Sequence, residues 1–368
     1  MTRLLIVDDS ALMRRLLRDI FARAGGFELQ SARNGAEALA IIKAERPDVV
    51  TLDVNMPEMD GLTCLGRIMV ESPCPVVMVS SLTTQGAEAS IEALRLGAVD
   101  FVAKPEGILS LGMETIRTAL VETVRGAAAT RLRGTFRLAE RVRHRTGMAA
   151  VPGQSELPPA DAERGLRRDG LGQEAGGVVL IGTSTGGPRA LETVLTALPA
   201  RFPLPILVAQ HMPASFTGVF ARRLNEYCDL EVVEVTSAMP VEPGRIYIGR
   251  GDADLIVTAR AGSPAVLSAP ALPGSLWHPS VDRLVRSCME QYPASAIVGV
   301  LMTGMGNDGA EAMAALHDAG GRTIAEAEAT AIVWGMPGEL VRRGGAGQVL
   351  PLPRIAEALI GMTTRAAH

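Results

Sequence analysis

Short, unbroken aliphatic runs recur along this chain, each closing on a polar residue, with helix-length patterns between them. Leu4–Val7 runs into Asp8 and Asp9, Asp48–Leu52 into Asp53, Val76–Val79 into Ser80, and Val99–Val102 ends just before Lys104. A strand exposed on one face alternates apolar and polar residues, whereas a run without alternation suits a strand covered on both faces. Helical patterns at Ser10–Ala24, Gly35–Ala44 and Gly86–Leu96 separate the runs, and residues 106–125 read as one more helix. The order predicts an α/β unit built on a parallel sheet.

The same grammar returns after a break. Residues 131–145 hold six arginines against one glutamate, and residues 146–175 are rich in Gly, Pro, Ala and charge, which is linker chemistry. The arginine stretch fits a solvated helix face, with Leu132, Phe136 and Val142 as an apolar stripe beside the charge. A docking helix for an acidic partner is the alternative. A second α/β unit opens near Gly177, with strand-like runs in VVLIGTSTGG, LPILVAQHMP and AIVGVLMTGMGNDG, and helical patterns at Leu191–Leu198 and Ala310–Ala319. Residues 229–270 are richer in β signals, with Arg245–Ile248 and Leu255–Thr258 as short strands. At 368 residues the chain is long enough for two domains, each with its own core.

Composition excludes several classes. A net charge of −4 argues against a nucleic-acid footprint over the whole surface. No apolar run reaches the roughly 18–20 residues of a membrane span, and two aspartates sit where a secretion signal would need an apolar core. Cys64, Cys74, Cys228 and Cys288 form no CxxC pair and match no metal spacing, so buried reduced thiols are expected. The expectation is a soluble, cytoplasmic protein.

Three acids at strand ends define the first constellation. In an open parallel sheet, ligands bind beyond the carboxyl ends of the strands. Asp8, Asp9 and Asp53 gathered there would repel one another unless a cation sat among them, and a hard divalent ion such as Mg²⁺ resolves the repulsion. Ser80 adds a hydroxyl and Lys104 a mobile positive charge. Helix capping by Asp8 and Asp9 would leave Asp53, Ser80 and Lys104 unexplained. The segments IVDDSALMRRLL, LDVNMPEMDGL, VVMVSS and GAVDFVAKP resemble, in this order, the receiver domain of two-component response regulators. The resemblance implies a flavodoxin-like sheet of order 2-1-3-4-5 and phosphorylation of Asp53 by a histidine kinase. It also implies that Asp9, Asp53 and the Asn55 carbonyl hold Mg²⁺, with Asp8 acting through water. Ser80 and Lys104 would sense the phosphoryl group, and the Lys104–Pro105 bond is a candidate cis peptide.

The second constellation begins at Gly182-Thr-Ser184-Thr-Gly186, a G-x-S-x-G pattern that exposes a serine on a sharp strand-to-helix turn. The turn alone could equally bind phosphate. A serine nucleophile needs a base and an orienting acid. His211 directly follows the strand ILVAQ, and Asp308 lies in the loop TGMGNDG after AIVGVL, both at the edge where Ser184 sits. His278, in the Pro-bounded loop WHPS, is expected to cap or pack; Asp282 and Asp318 fall on helical patterns. The chain order Ser–His–Asp differs from that of α/β-hydrolases and predicts a doubly wound, Rossmann-like domain.

The segments IGTSTGGP, AQHMP, SFTGVFARRLN, HPSVDRL, LMTGMGNDGA and VWGMP resemble the catalytic domain of the chemotaxis protein-glutamate methylesterases, the CheB family. The resemblance implies a receiver over residues 1–122, a linker over 123–175 and a methylesterase domain over 176–365. It implies Ser184 as nucleophile, His211 as general base, Asp308 as its orienting acid, and backbone N–H groups at Thr185 and Met305 as the oxyanion hole, with no cofactor for ester hydrolysis. The implied substrates are glutamate γ-methyl esters and certain glutamines on the cytoplasmic helices of chemoreceptors, with a CheA-like kinase as phosphodonor and no nucleic acid or membrane insertion. The sequence departs from the family pattern at Glu326 and Ala327, where Gln and Asp or Asn are expected, at Asp254, where His is frequent, and in TSAMPVEPG, which lacks an acidic-glycine turn. Rival classes are a phosphorylation-switched adaptor, a hydrolase of other esters outside chemotaxis, and a DNA-binding regulator. The last would need a basic helix-turn-helix, which the second half does not suggest.

Overall fold

The computed structural model describes residues 1–81, 83–104, 113–129, 176–260, 262–272 and 277–364. The arginine-rich stretch, most of the linker and the Lys104–Pro105 bond therefore lie outside the described residues.

The first unit alternates β1 (Thr2–Val7), α1 (Ala11–Ala24), β2 (Phe27–Ala32), α2 (Gly35–Glu45), β3 (Val49–Asp53), α3 (Gly61–Glu71), β4 (Val76–Ser80), α4 (Thr84–Leu96), β5 (Asp100–Ala103) and α5 (Met113–Ala129). Its sheet has the order β2-β1-β3-β4-β5, and all its strand pairs are parallel. Helix starts follow local chemistry. Ser10, Asn34, Asp60 and Thr83 each accept a backbone N–H three residues on, satisfying one of the donors a helix start leaves unpaired. Helix α5 continues to Ala129, past residue 122.

Two elements escape the apolar-run reading. Strand β2, FELQSA, buries only Phe27 and Ala32, so it carries no continuous run. Helix α3 is interrupted by Gly66, yet its apolar face is buried through Cys64, Leu65, Ile68 and Met69.

The second unit holds a seven-stranded sheet of order β15-β14-β13-β6-β7-β10-β8. Its strands are β6 (Val178–Thr183), β7 (Ile206–Gln210), β8 (Glu231–Val235), β10 (Arg245–Gly249), β13 (Ile297–Leu301), β14 (Arg322–Glu326) and β15 (Gln348–Leu350), every pair parallel. Helices α6 (Gly187–Leu195), α7 (Ala214–Tyr227), α8 (Val281–Met289), α9 (Ala310–Asp318), α10 (Met336–Arg342) and α11 (Leu352–Thr364) cover it. The chain winds outward from β6 through β7 on one side and returns at β13 on the other, so the switch point lies beyond the end of β6. The β-rich segment divides. Arg245–Gly249 joins the parallel sheet, while β9 (Met239–Pro240), β11 (Ala253–Arg260) and β12 (Ser263–Pro270) form a separate antiparallel sheet.

The two units touch through apolar and charged contacts. Phe101 of β5 stacks on Phe216 of α7 at 4.4 Å between ring centroids. Helix α4 packs along α7, where Arg223 reaches Glu92 at 3.1 Å and Arg95 donates to the Tyr227 hydroxyl. A Cβ on Gly126 of α5 would stand 2.7 Å from Val333 and 3.3 Å from Met305 Cε, so only a glycine lets the helix approach that closely.

The cysteines are free thiols; Cys64, Cys74 and Cys288 are buried and Cys228 is partly so. No helix among the described residues is long and apolar enough to cross a membrane.

The β6 core is tightly committed. Leu180 is fully buried among Leu207, Leu301 and the helices over that face. Leu180→Ala should destabilise the second unit by about 2–5 kcal/mol, read as a lowered urea midpoint of that unit's unfolding transition at unchanged slope.

Candidate active site and phosphoacceptor site

Strand ends deliver the residues of the second unit. Ser184 follows β6 and starts a turn in which Gly186 has φ +76°, a left-handed conformation suited to glycine. Its N–H donates to the Thr303 carbonyl at 3.0 Å, a bond that extends the β6–β13 pairing past the last paired residues. Gln210 clamps the turn from the other side. Its amide donates to the Ser184 and His211 carbonyls at 3.0 and 2.9 Å, and its oxygen accepts from the Thr183 hydroxyl at 2.6 Å.

His211 continues from β7 and donates its N–H to the Thr183 carbonyl. Its Nε2 lies 2.8 Å from Asp308 Oδ2. Its Nδ1 is buried with no hydrogen-bond partner among the described residues, so this is the ring nitrogen left for a nucleophile. Trp277 lies parallel to the imidazole at 5.6 Å between centroids and restricts its rotation.

Asp308 does more than meet the histidine. It accepts from the backbone N–H groups of Val281 and Asp282 at 2.7 and 3.1 Å and from the Ser280 hydroxyl at 3.1 Å. It thus sits at the N-terminus of α8, where unpaired N–H groups favour negative charge. Burial alone would raise its pKa, but His211 and the two backbone donors outweigh it and hold the carboxyl below the usual range. Asp282, read as a helix residue, is one, and it accepts from Ala312 N–H at 2.8 Å.

The loop bearing Met305 and Asp308 is pinned by the segment VWGMP. Gly304 donates to the Val333 carbonyl and accepts from Gly335 and Met336. A Cβ on Gly304 would fall 2.3 Å from Met336 Sδ and 2.8 Å from Ser184 Cβ, so this close approach requires glycine. Thr185 and Ser184 are almost wholly buried, and the Thr185 carbonyl accepts from the Thr303 hydroxyl at 2.9 Å.

Further polar groups surround this site. Glu326 ends β14, fully buried, with Oε2 accepting the Thr303 N–H at 2.8 Å and Oε1 making no hydrogen bond of ordinary geometry among the described residues; burial pushes its pKa up to about 7. Asp254 accepts from Ser280 N–H and Arg283 and lies 2.8 Å from His278 Nδ1, which gives His278 its packing partner. Burial works against the Asp254 charge, but these contacts prevail and its pKa is lowered. Asp100, from the first unit, accepts the Gly186 N–H at 3.3 Å, and burial pushes its carboxyl up to about 7. A strand–acid alternation would have flagged Asp100 and Glu326 only as strand-end residues.

In the first unit, Asp8, Asp9 and Asp53 each offer a carboxylate oxygen within 4.8 Å of the others. Lys104 Nζ lies 2.7 Å from Asp53 Oδ2 and 3.1 Å from Asp8 Oδ2. Burial raises the Asp53 pKa more than Lys104 lowers it. Asp8 Oδ1 also accepts from Ser10 N–H, so it braces the turn into α1 while Ser10 itself caps the helix. Ser80 is buried and donates to the Gly86 carbonyl at 3.0 Å; Asn55 N–H reaches Asp53 at 3.3 Å. A Cβ on Gly61 would lie 2.1 Å from the Asp53 carbonyl, which fixes glycine where α3 begins.

Residues 179–359 match the model of the CheB methylesterase family, and residues 4–113 match that of the response regulator receiver domain. A Rhodopseudomonas palustris protein named protein-glutamate methylesterase/protein-glutamine glutaminase 2 is 56% identical, over 98% of this chain and 98% of its own length. A Rhodospirillum rubrum protein named protein-glutamate methylesterase/protein-glutamine glutaminase 3 is 54% identical, over 99% of this chain and 97% of its own. Among solved structures, the CheB methylesterase catalytic domain of Thermotoga maritima is 38% identical with a TM-score of 0.49, covering 50% of this chain and 98% of that one. With both units matched in order and relatives aligned over nearly their whole length, the chain belongs to the CheB methylesterase family, in the form that carries an N-terminal receiver domain.

Proposed function

We propose that this chain hydrolyses glutamate γ-methyl esters on the cytoplasmic helices of chemoreceptors, deamidates receptor glutamines by the same route, and is switched on by phosphorylation of Asp53. The observation that carries the hydrolase reading is the arrangement of His211, whose Nε2 is engaged by Asp308 while Nδ1 has no hydrogen-bond partner among the described residues. In this reading residues 1–122 are the phosphoacceptor, 123–175 the linker and 176–365 the hydrolase, working in the cytoplasm.

Ser184 Oγ attacks the ester carbonyl as its proton passes to His211 Nδ1. Asp308, kept ionised, stabilises the imidazolium that forms and fixes Nε2 as the protonated nitrogen. Backbone N–H groups at Thr185 and Met305 receive the oxyanion; one such donor is typically worth ~10²–10³ in rate. The proton then leaves with methanol, or with ammonia when the substrate is glutamine. Water, activated by His211, releases the glutamate and restores Ser184. The esterase step calls on no cofactor in this scheme.

Asp53 would receive the phosphoryl group from a CheA-like histidine kinase. Asp8, Asp9, Asp53 and the Asn55 carbonyl would hold Mg²⁺, which their close carboxylates suit and whose charge would offset the crowding of negative groups. Lys104 already bridges Asp8 and Asp53, so it is poised to follow a phosphoryl group added there; Ser80 would turn its hydroxyl to it. The contacts of Asp100 with Gly186, Phe101 with Phe216 and α5 with Val333 and Met305 support a resting state in which the receiver leans on the catalytic turn. Phosphorylation then acts as a population shift, provided it discriminates between docked and open states.

Methanol release from methylated receptor fragments, with and without a phosphodonor and Mg²⁺, should be stimulated in the wild type and vanish in Ser184→Ala. Release persisting in that variant would remove Ser184 from the reaction. Asp53→Ala should keep basal release and lose the stimulation; equal stimulation of both proteins would end the phosphoacceptor reading. Asp308→Asn should lower kcat by roughly 10³–10⁴-fold, because the amide no longer fixes the tautomer, and a change under tenfold would argue for another orienting group. Phe101→Ala should raise unphosphorylated release severalfold, with activity at saturating phosphodonor as its reference.

A further inference from the structure

Glu326 is a buried acid that the proposed reaction does not use. No part of it is exposed. One carboxyl oxygen takes the Thr303 N–H at 2.8 Å; the other makes no hydrogen bond of ordinary geometry among the described residues, although the Thr330 hydroxyl acts on the carboxyl. A buried carboxylate with so few donors and no cation is costly, whereas the neutral acid can keep the same N–H contact. The elements packed on β14 bring it no counter-charge. Helix α9 carries Glu311, His317 and Asp318, with Glu311 paired to Arg286 and His317 against Thr323. Helix α10 carries Glu339 and Arg342, paired to each other, and α11 carries Arg354 and Glu357, likewise paired. On β14 itself, Arg322 donates to the Met362 carbonyl. β13 and β15 hold no charged residue. Only burial, the Thr303 N–H and the Thr330 hydroxyl act on the Glu326 proton, and burial dominates.

What Glu326 holds is the residue on which the nucleophile turn rests. Thr303 accepts the Ser184 N–H through its carbonyl, donates its hydroxyl to the Thr185 carbonyl, and accepts the Val333 N–H at that hydroxyl. Glu326 takes the N–H of Thr303 at 2.8 Å, the one Thr303 group that neither the turn nor Val333 engages. We propose that Glu326 is a positioning residue for the Ser184 turn, acting through Thr303 in its neutral form, and that its ionisation loosens the turn. The inference rests on the serine-nucleophile reading above but not on the identity of the ester.

The sign follows from linkage. A carboxyl whose folded-state pKa is raised contributes stability that is complete below its unfolded value and lost as pH rises through the folded value, here between about 4.5 and about 7. The turn should therefore slacken as the solution passes neutrality. Glutamine keeps a carbonyl acceptor for Thr303 and cannot ionise.

The test compares full-length wild type with Glu326→Gln and Glu326→Ala from pH 5.5 to 8.5, at temperatures where circular dichroism shows all folded. Two rates are followed, labelling of Ser184 by a fluorophosphonate and methanol release with phosphodonor and Mg²⁺. Both proteins carry the same Ser184, His211 and Asp308, so pH effects common to them divide out of the ratio of Gln variant to wild type. That ratio should rise at least about threefold between pH 6 and 8.5 in the labelling assay, as the wild-type acid ionises. The alanine variant should label about tenfold more slowly than the Gln variant at every pH. A ratio flat with pH would overturn the inference, whatever methanol release does. A rising labelling ratio with no methanol from any protein would sustain it and sink the receptor-ester reading instead. Should Glu326→Ala fail to fold, the Gln comparison still decides.

Discussion

The pairing of β6 with β13 is the constraint on which the catalytic half depends. Its register sets Leu301 opposite Gly182, and two residues later the Thr303 carbonyl meets the Ser184 N–H. Parallel strands leave the sheet side by side at their carboxyl ends, so three neighbours deliver Ser184, His211 and Asp308 to one place without a long loop between them. The glycines follow from this closeness. Gly304 and Gly186 stand where Met336, Ser184 and Ile332 leave no room for a side chain. The clamp by Gln210 and the anchor through Thr303 then hold a turn that has no side-chain cap of its own at α6.

Much of this was legible in the sequence because both sheets are covered on both faces. Continuous apolar runs marked β1, β3, β4, β6, β7 and β13. The reading failed where that physics does not apply. β2 lies at a sheet edge and buries only its ends, so it has no run to see. The antiparallel β9–β11–β12 sheet and the parallel β10 look alike locally; pairing partners, not composition, divide them. His278 was separable from His211 by its loop, but its partner Asp254 is 24 residues away and invisible to spacing. Asp100 and Glu326 gain their meaning from tertiary contacts across 86 and 23 residues.

Buried carboxyls around the site are treated unequally, and the difference sorts their tasks. Asp308 and Asp254 each meet several donors and have pKa values held down. Glu326 and Asp100 meet only backbone N–H groups and threonine side chains and are pushed up to about 7. An imidazole or guanidinium partner, added to the backbone donors, separates a permanent anion from a group that changes charge near neutrality.

Asp308 serves two masters, since the carboxylate that bonds His211 also accepts the first N–H groups of α8. Helix architecture therefore protects this position independently of turnover. A lineage that abandoned hydrolysis and kept only binding could let Ser184 and His211 drift, while folding would go on selecting for the aspartate. An intact Asp308 in a distant relative is accordingly a record of ancestry, and on the proposed mechanism the serine and histidine are the positions whose loss would date the end of catalysis.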